Sequence, residues 1–342
     1  MSALKLAIGK VITPRVLFGL ALAAVIATWL MLLIGGLVNP NEAGMACSAG
    51  LKNILAPACD GKPMEGHALF EHGHRLWGYA IGWLTIVIAI GAWASPDLPK
   101  KTKLLALGTT SFIFIQGMLG LLTVWLGFAA AAPGDVPRTN PYMSTVHLVV
   151  GYSFLAFIVF VAWRLAPSRR ADPTWGPKLT RRYVMVAAVL TFVQVIVGGA
   201  MRHFGAGMIC GDDPIGCSGR GIMPSTGLEA LHMGHRLLGY LVAIAVVTVA
   251  ITAMRAARRA DRKTVAALAW VPLVLVLAQV TLGLLTVASG KIPVVVAFHT
   301  AIGGLLLASL VGVFLGLGPL GARRALPSTG SARATNAKGA LA

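Results

Sequence analysis

Eight apolar stretches, at roughly residues 16–38, 73–94, 104–128, 143–165, 184–202, 233–254, 265–288 and 295–317, run almost without interruption by charge. Each is near the ~20 residues a helix needs to cross about 30 Å of hydrocarbon. Lipid offers no partner for a bare N–H or C=O, so each stretch must close its own backbone hydrogen bonds as a helix. The chain is 57% apolar and 12% charged, with a mean hydropathy of +0.79. That balance excludes a soluble globular domain. The expected fold class is an all-α polytopic membrane protein with eight transmembrane helices. The first stretch has a basic flank but is long and lacks a clear small-residue cleavage site, so it reads as a retained helix.

A formal net charge of +18 would point to nucleic acid in a soluble protein. Here the positions of the charges argue otherwise. With loops placed on alternate sides, 21 of the 29 Lys and Arg fall in the N-terminus, the 95–103, 164–183 and 255–263 loops and the C-terminal tail. The positive-inside rule then makes both termini cytoplasmic, in an inner (cytoplasmic) membrane. Glu42, Asp60, Glu65, Glu71, Asp135, Asp212, Asp213 and Glu229 fall outside, against Asp97, Asp172 and Asp261 inside. The basic surface suits anionic lipid, and no nucleic-acid partner is expected. Cys47, Cys59, Cys210 and Cys217 all lie in the two long outer loops. On an oxidising face, two thiols per loop fit the disulfides Cys47–Cys59 and Cys210–Cys217, the alternative being unpaired thiols.

The chain also copies itself. "EHGHRLWGY" at 71–79 overlays "HMGHRLLGY" at 232–240; "IGGLVNPNEAGMAC" at 34–47 overlays "VGGAMRHFGAGMIC" at 197–210; "QGMLGLLTVWLG" at 116–127 overlays "QVTLGLLTVASG" at 279–290. His147 in "STVHLVVGY" then corresponds to His299 in "VAFHTAIGG". Four helices duplicated give two four-helix bundles, related by a pseudo-two-fold axis along the membrane normal. The expected division is 1–175 and 176–320, joined across the Pro- and Arg-rich 166–183 connector, with 321–342 a disordered tail.

Ionisable groups inside a membrane are costly, and therefore functional candidates. His74 and His147 start spans running in the same direction, so their imidazoles lie at one depth near the outer face; the same holds for His235 and His299. Facing histidines at one level can ligate a single iron from both sides of a porphyrin, and two bundles make two such sites. Histidines that only hydrogen-bond between helices are the plainer alternative. Zinc is another, although each pair is short of donors for a four-ligand site. Gly73 and Gly234 would admit a flat macrocycle, and Arg75 and Arg236 would pair with its propionates. His67, His72 and His203 read as solvated interface residues, and Gln116, Gln194 and Gln279 as interhelical hydrogen-bonders. The halves differ where Glu71 stands against His232. A carboxylate beside one site alone suits proton chemistry there, the competing reading being an i,i+4 ion pair with Arg75.

These residues resemble the heme A synthase family. The points of match are the duplicated four-helix scaffold, the E-x-x-H-R string at Glu71, His74 and Arg75, the second H-R at His235 and Arg236, His147 and His299 in spans four and eight, and the "GGLV…AGMAC" segment. The resemblance implies oxidation of the C8 methyl of heme O to a formyl group through hydroxylated intermediates, giving heme A for terminal oxidases. It further implies that His74 and His147 hold the substrate heme, that His235 and His299 hold a resident heme b, and that Glu71 is catalytic. Its partners would be membrane lipid, a heme O synthase, an electron acceptor and further copies of the chain in a homo-oligomer. The chain departs from the family pattern after the first span, where "GGLVNPNEAGMACSAGLKN" lacks the Arg and Pro-Asp-Trp-Pro of "GGxVRxTGSGLxCPDWP". The rival reading is a diheme b-type cytochrome carrying electrons from quinol, which would need the same four histidines but not Glu71. A transporter fits less well, since the polar groups cluster at one face.

Overall fold

The computed structural model describes residues 12–38, 43–47, 65–132, 138–166, 177–211, 213, 215–217, 219 and 221–318. Among them are eight helices long and apolar enough to cross a membrane: α1 Pro14–Val38, α2 Gly66–Ala94, α3 Lys100–Ala130, α4 Pro141–Leu165, α5 Lys178–His203, α6 Gly227–Arg259, α7 Lys263–Ala288 and α8 Pro293–Gly316. The chain is thus an all-helical, multi-pass membrane protein. Most of the 166–183 connector and the 321–342 tail lie outside the described residues.

Several helices run past their apolar cores, and the extensions have local causes. Asn140 caps α4, its side chain accepting from Met143 N at 3.1 Å, with Pro141 in the first turn where the missing N–H costs nothing. Thr226 caps α6 by accepting from Glu229 N at 3.2 Å, and the Glu229 carboxylate reaches back to Ser225 N at 2.7 Å, a capping-box arrangement. This carries α6 six residues outward of the apolar stretch that begins at 233. Helix α7 breaks at Ala269. Pro272, three residues on, has no N–H to give and its ring crowds the preceding turn.

Two buried clusters form the core, the first centred on the N-terminal helices but also taking in Leu307 and Ala308 of α8. Leu17, Ala21, Ile81, Ile88, Phe154, Leu155 and Ile158 anchor the first; Val184, Val246, Ala253, Val276, Leu310 and Val313 anchor the second. Large apolar side chains such as Trp83, 68% exposed, and Phe114, 70% exposed, point outward, as a lipid-facing surface requires. Since lipid is as apolar as the core, close backbone approach and hydrogen bonds must join the halves. A Cβ on Gly36 of α1 would stand 2.9 Å from the Cα of Ala297 in α8, so only glycine fits there. Trp29 Nε1 donates to Ala301 O at 3.1 Å, and the Tyr152 hydroxyl donates to Thr300 O. Arg202 of α5 donates to Gly36 O at 2.9 Å and to Thr300 Oγ1 at 3.2 Å.

Candidate heme-binding sites

The structure brings the four repeated histidines together in two pairs. The ring centres of His74 and His147 are 6.3 Å apart, with planes at 68°; those of His235 and His299 are 6.4 Å apart, with planes at 73°. Two imidazoles sharing one axial metal stand about 6.4 Å apart centre to centre, from metal–nitrogen bonds of about 2.0–2.1 Å and about 1.1 Å from each nitrogen to its ring centre. Both pairs therefore have the spacing of bis-histidine ligation. On all four rings Nδ1 is buried without a hydrogen-bond partner. A buried polar atom left so is costly unless something outside the protein satisfies the ring. Among the described residues there is no cluster of three or more His, Cys, Asp or Glu placed to hold a metal ion. Two donors per pair suit a porphyrin iron, which brings four nitrogens of its own, better than zinc. The residues present fit heme.

Each ring rests on a glycine of the preceding helix. A Cβ at Gly35, Gly120, Gly198 or Gly283 would meet Cε1 of His74, His147, His235 or His299 at 2.9, 3.1, 2.6 and 3.3 Å respectively. Four residues before three of these glycines stands a glutamine. Gln116 Nε2 donates to His147 O at 2.8 Å and lies 3.4 Å from that ring's Nε2; Gln194 does the same for His235, at 2.8 and 3.4 Å. Gln279 Nε2 lies 3.3 Å from His299 Nε2. The unit repeated at the sites is thus a helix pair, Q-x-x-x-G packed on H-x-x-x-G, present four times with Met31 replacing the glutamine in the first. Comparing halves marks Gly35–Gly36 and Gly198–Gly199 as fit for close helix packing around a macrocycle, as small residues also are without one, and the glutamines only as generic hydrogen-bonders. The recurring spacing at 116–120, 194–198 and 279–283 is the signal that ties them to the histidines. Gly73 and Gly234, expected to admit the macrocycle, have no neighbour within 4 Å of a built Cβ and face open space.

Glu71 and His232 both tie an outer loop to their helix. Each loop carries a short 3₁₀ turn of sequence AGM, at Ala43–Met45 and Ala206–Met208. The Glu71 carboxylate accepts from Cys47 N at 2.9 Å, and His232 Nδ1 hydrogen-bonds Ala206 O at 2.7 Å. Both side chains are buried, at 5% and 2% exposure. Glu71 also forms the i,i+4 ion pair with Arg75, so the propionate partner expected of Arg75 is at least shared with a carboxylate on its own helix. Arg236 has no acidic residue one turn back; its Nη1 donates to Gly216 O at 2.7 Å, while Nη2 is buried without a partner. The Gly216 carbonyl lies in the loop closed by the Cys210–Cys217 disulfide. Outside the membrane, Asp213 shapes that loop by accepting from Gly216 N at 2.8 Å and Ile215 N at 2.9 Å. Those N–H groups hold its carboxyl below the usual carboxylate range. Cys47 is disulfide-bonded; the expected pairing with Cys59 falls outside the described residues. His72 is buried at 8% exposure, contrary to the solvated position expected from the loop edge, because its face of α2 is covered. His67 is exposed.

Fold and geometry together define an eight-helix membrane protein with an internally repeated sequence and two buried histidine pairs. The model of the COX15-CtaA family, described as cytochrome oxidase assembly protein, matches residues 55–311. The chain belongs to that family. It is 32% identical over 285 residues to a heme A synthase of Symbiobacterium thermophilum, covering 79% of this chain and 85% of that protein. It is also 25% identical over 293 residues to the heme A synthase of Halalkalibacterium halodurans, covering 82% and 90%, and 25% identical over 275 residues to that of Geobacillus kaustophilus, covering 78% and 80%.

Proposed function

We propose that the chain is a heme A synthase, a membrane oxidoreductase that converts the C8 methyl of heme O to a formyl group through hydroxylated intermediates. The observation that carries this reading is the matched spacing of the two histidine pairs, 6.3 and 6.4 Å, with the buried Glu71 three residues before His74 where the second half has His232. His74 and His147 hold the substrate heme O. His235 and His299 hold a resident heme b, which when bound supplies one-electron transfer. The buried, unpartnered Nη2 of Arg236 is a donor for a propionate of that heme. Glu71, kept in place by Arg75 and the Cys47 N–H, takes up and returns a proton at its carboxylate as the methyl group is oxidised. The protein sits in the cytoplasmic membrane with both termini in the cytoplasm, so the histidine ends face outward. Basic loops meet anionic lipid on the inner side.

Naming of the relatives as heme A synthases and the Glu71 asymmetry both weigh against an electron-carrying diheme cytochrome. The test is co-expression with a heme O synthase, followed by chromatography of the extracted hemes. Formyl and hydroxylated hemes are expected. Heme O recovered unchanged from a protein with an intact b-type spectrum would overturn the enzyme and leave the carrier.

A further inference from the structure

Three of the four ligand histidines are steadied by a glutamine, and the fourth is not. Gln194 aligns without a gap to Met31, through "MLLIGG" at 31–36 and "QVIVGG" at 194–199. Met31 also takes the same seat: a Cβ at Gly78 would meet Met31 Cε at 3.3 Å, as one at the equivalent Gly239 would meet Gln194 Nε2 at 3.1 Å. Gly151 and Gly303 bear the same relation to Gln116 and Gln279, both at 3.2 Å. A thioether methyl has no N–H to donate. Among the described residues no hydrogen bond reaches the His74 ring.

We propose that Met31 is a positioning residue that leaves His74 the exchangeable ligand of the substrate heme. A glutamine amide that donates to the ligand's own carbonyl, as at His147 and His235, holds the backbone there, and its nitrogen against ring Nε2 limits the ring torsion by contact. A resident heme is served by two glutamine contacts, Gln194 on the carbonyl and ring of His235 and Gln279 on the ring of His299. A substrate that must enter and a product that must leave are better served by one firm ligand, His147 with Gln116, and one that swings. Met31 and Gln are close in length and shape, so the difference between the halves is in hydrogen bonding rather than packing.

The inference rests on the assignment of His74 and His147 to the substrate heme, and the experiment separates the two. Protein purified after co-expression with a heme O synthase is mixed with excess apomyoglobin as heme acceptor. Transfer is followed at the Soret band, and the hemes leaving in each phase are identified by chromatography. Wild type should release a heme O-derived pigment quickly and heme b slowly. Met31→Gln should slow the fast phase about tenfold or more, the usual range for outer-shell partners of metal ligands, and Gln194→Met should speed the slow phase by a similar factor. Met31→Leu, apolar but without a donor, should release as wild type does. A fast phase unchanged within about twofold in a Met31→Gln protein carrying its full heme complement overturns the role of Met31. A fast phase containing no heme O-derived pigment in wild type overturns the substrate assignment, and the inference with it. If Met31→Gln fails to accumulate, an unchanged slow phase in Gln194→Met is the outcome that sinks the anchoring argument.

Discussion

Glu71 meets two demands, and a single substitution can separate them. Its carboxylate anchors the first outer loop through the Cys47 N–H, and under the proposed function it also moves a proton at the first site. Glu71→Gln keeps an oxygen to accept that N–H but cannot ionise, whereas Glu71→Ala loses both functions. Turnover, measured as the ratio of formyl heme to heme O in extracts, should fall at least about a hundredfold in both variants, the low end of what a positioned acid–base group contributes. Only Glu71→Ala should also expose the loop, seen as faster cleavage by added protease. Both should keep the b-type spectrum, which His235→Ala or His299→Ala would remove. Wild-type turnover in Glu71→Gln would reduce Glu71 to a loop tether, the work His232 does in the other half through Ala206 O. The identity of the residue at this position was legible in the sequence because the repeat sets Glu71 against His232. The tethering was not, since the contact spans 24 residues of loop and helix that no periodicity links.

At the level of elements, glycines on the odd-numbered helices set where the histidines of the even-numbered ones stand. The closest approach is at Gly198, where an added methyl would lie 2.6 Å from Cε1 of His235 and 3.1 Å from its Nδ1. No ordinary contact is that short, so Gly198→Ala must displace the ring or part α5 from α6. The expected result is loss or broadening of the low-spin signal of the second site in electron paramagnetic resonance, with the protein still inserted and its first-site signal retained. Gly283→Ala, where the methyl would lie 3.3 Å from His299, should perturb the same signal less. The existence of eight helices was legible because each needs its own apolar run. Their ends were less so: α2 and α6 begin several residues outward of the runs, where capping and loop contacts rather than hydropathy decide the matter. The break in α7 follows from Pro272, whose effect is local and readable. The pairing of three Q-x-x-x-G strings and one M-x-x-x-G with four H-x-x-x-G strings was written in the sequence but interleaved across different helices, so a comparison of whole halves passes over it.

For the whole molecule, the question is whether the two histidine pairs are coupled through the protein. Arg202 supplies a route through protein: it donates to Gly36 O, beside the glycine that backs His74, and to Thr300 Oγ1, beside His299. The Tyr152 hydroxyl, five residues after His147 in α4, closes the network on Thr300 O. One side chain of the second half thus touches the neighbours of one histidine from each pair. Its repeat counterpart in the sequence is Asn39, so the repeat does not supply a second arginine at this position. Interhelical hydrogen bonds in membranes are individually modest, about 0.6 kcal/mol on average and up to about 1.7 kcal/mol. Arg202→Leu, which removes two of them together, should destabilise the solubilised protein by about 1–2 kcal/mol, read from thermal unfolding by tryptophan fluorescence. Arg202→Lys, with a single ammonium, should restore only part of this. The more telling measurement is the midpoint potential of each heme before and after the change. If the halves are coupled through this arginine, both potentials move in Arg202→Leu although no ligand has been altered; if only the second-half heme responds, the pairs behave as independent centres that share a scaffold.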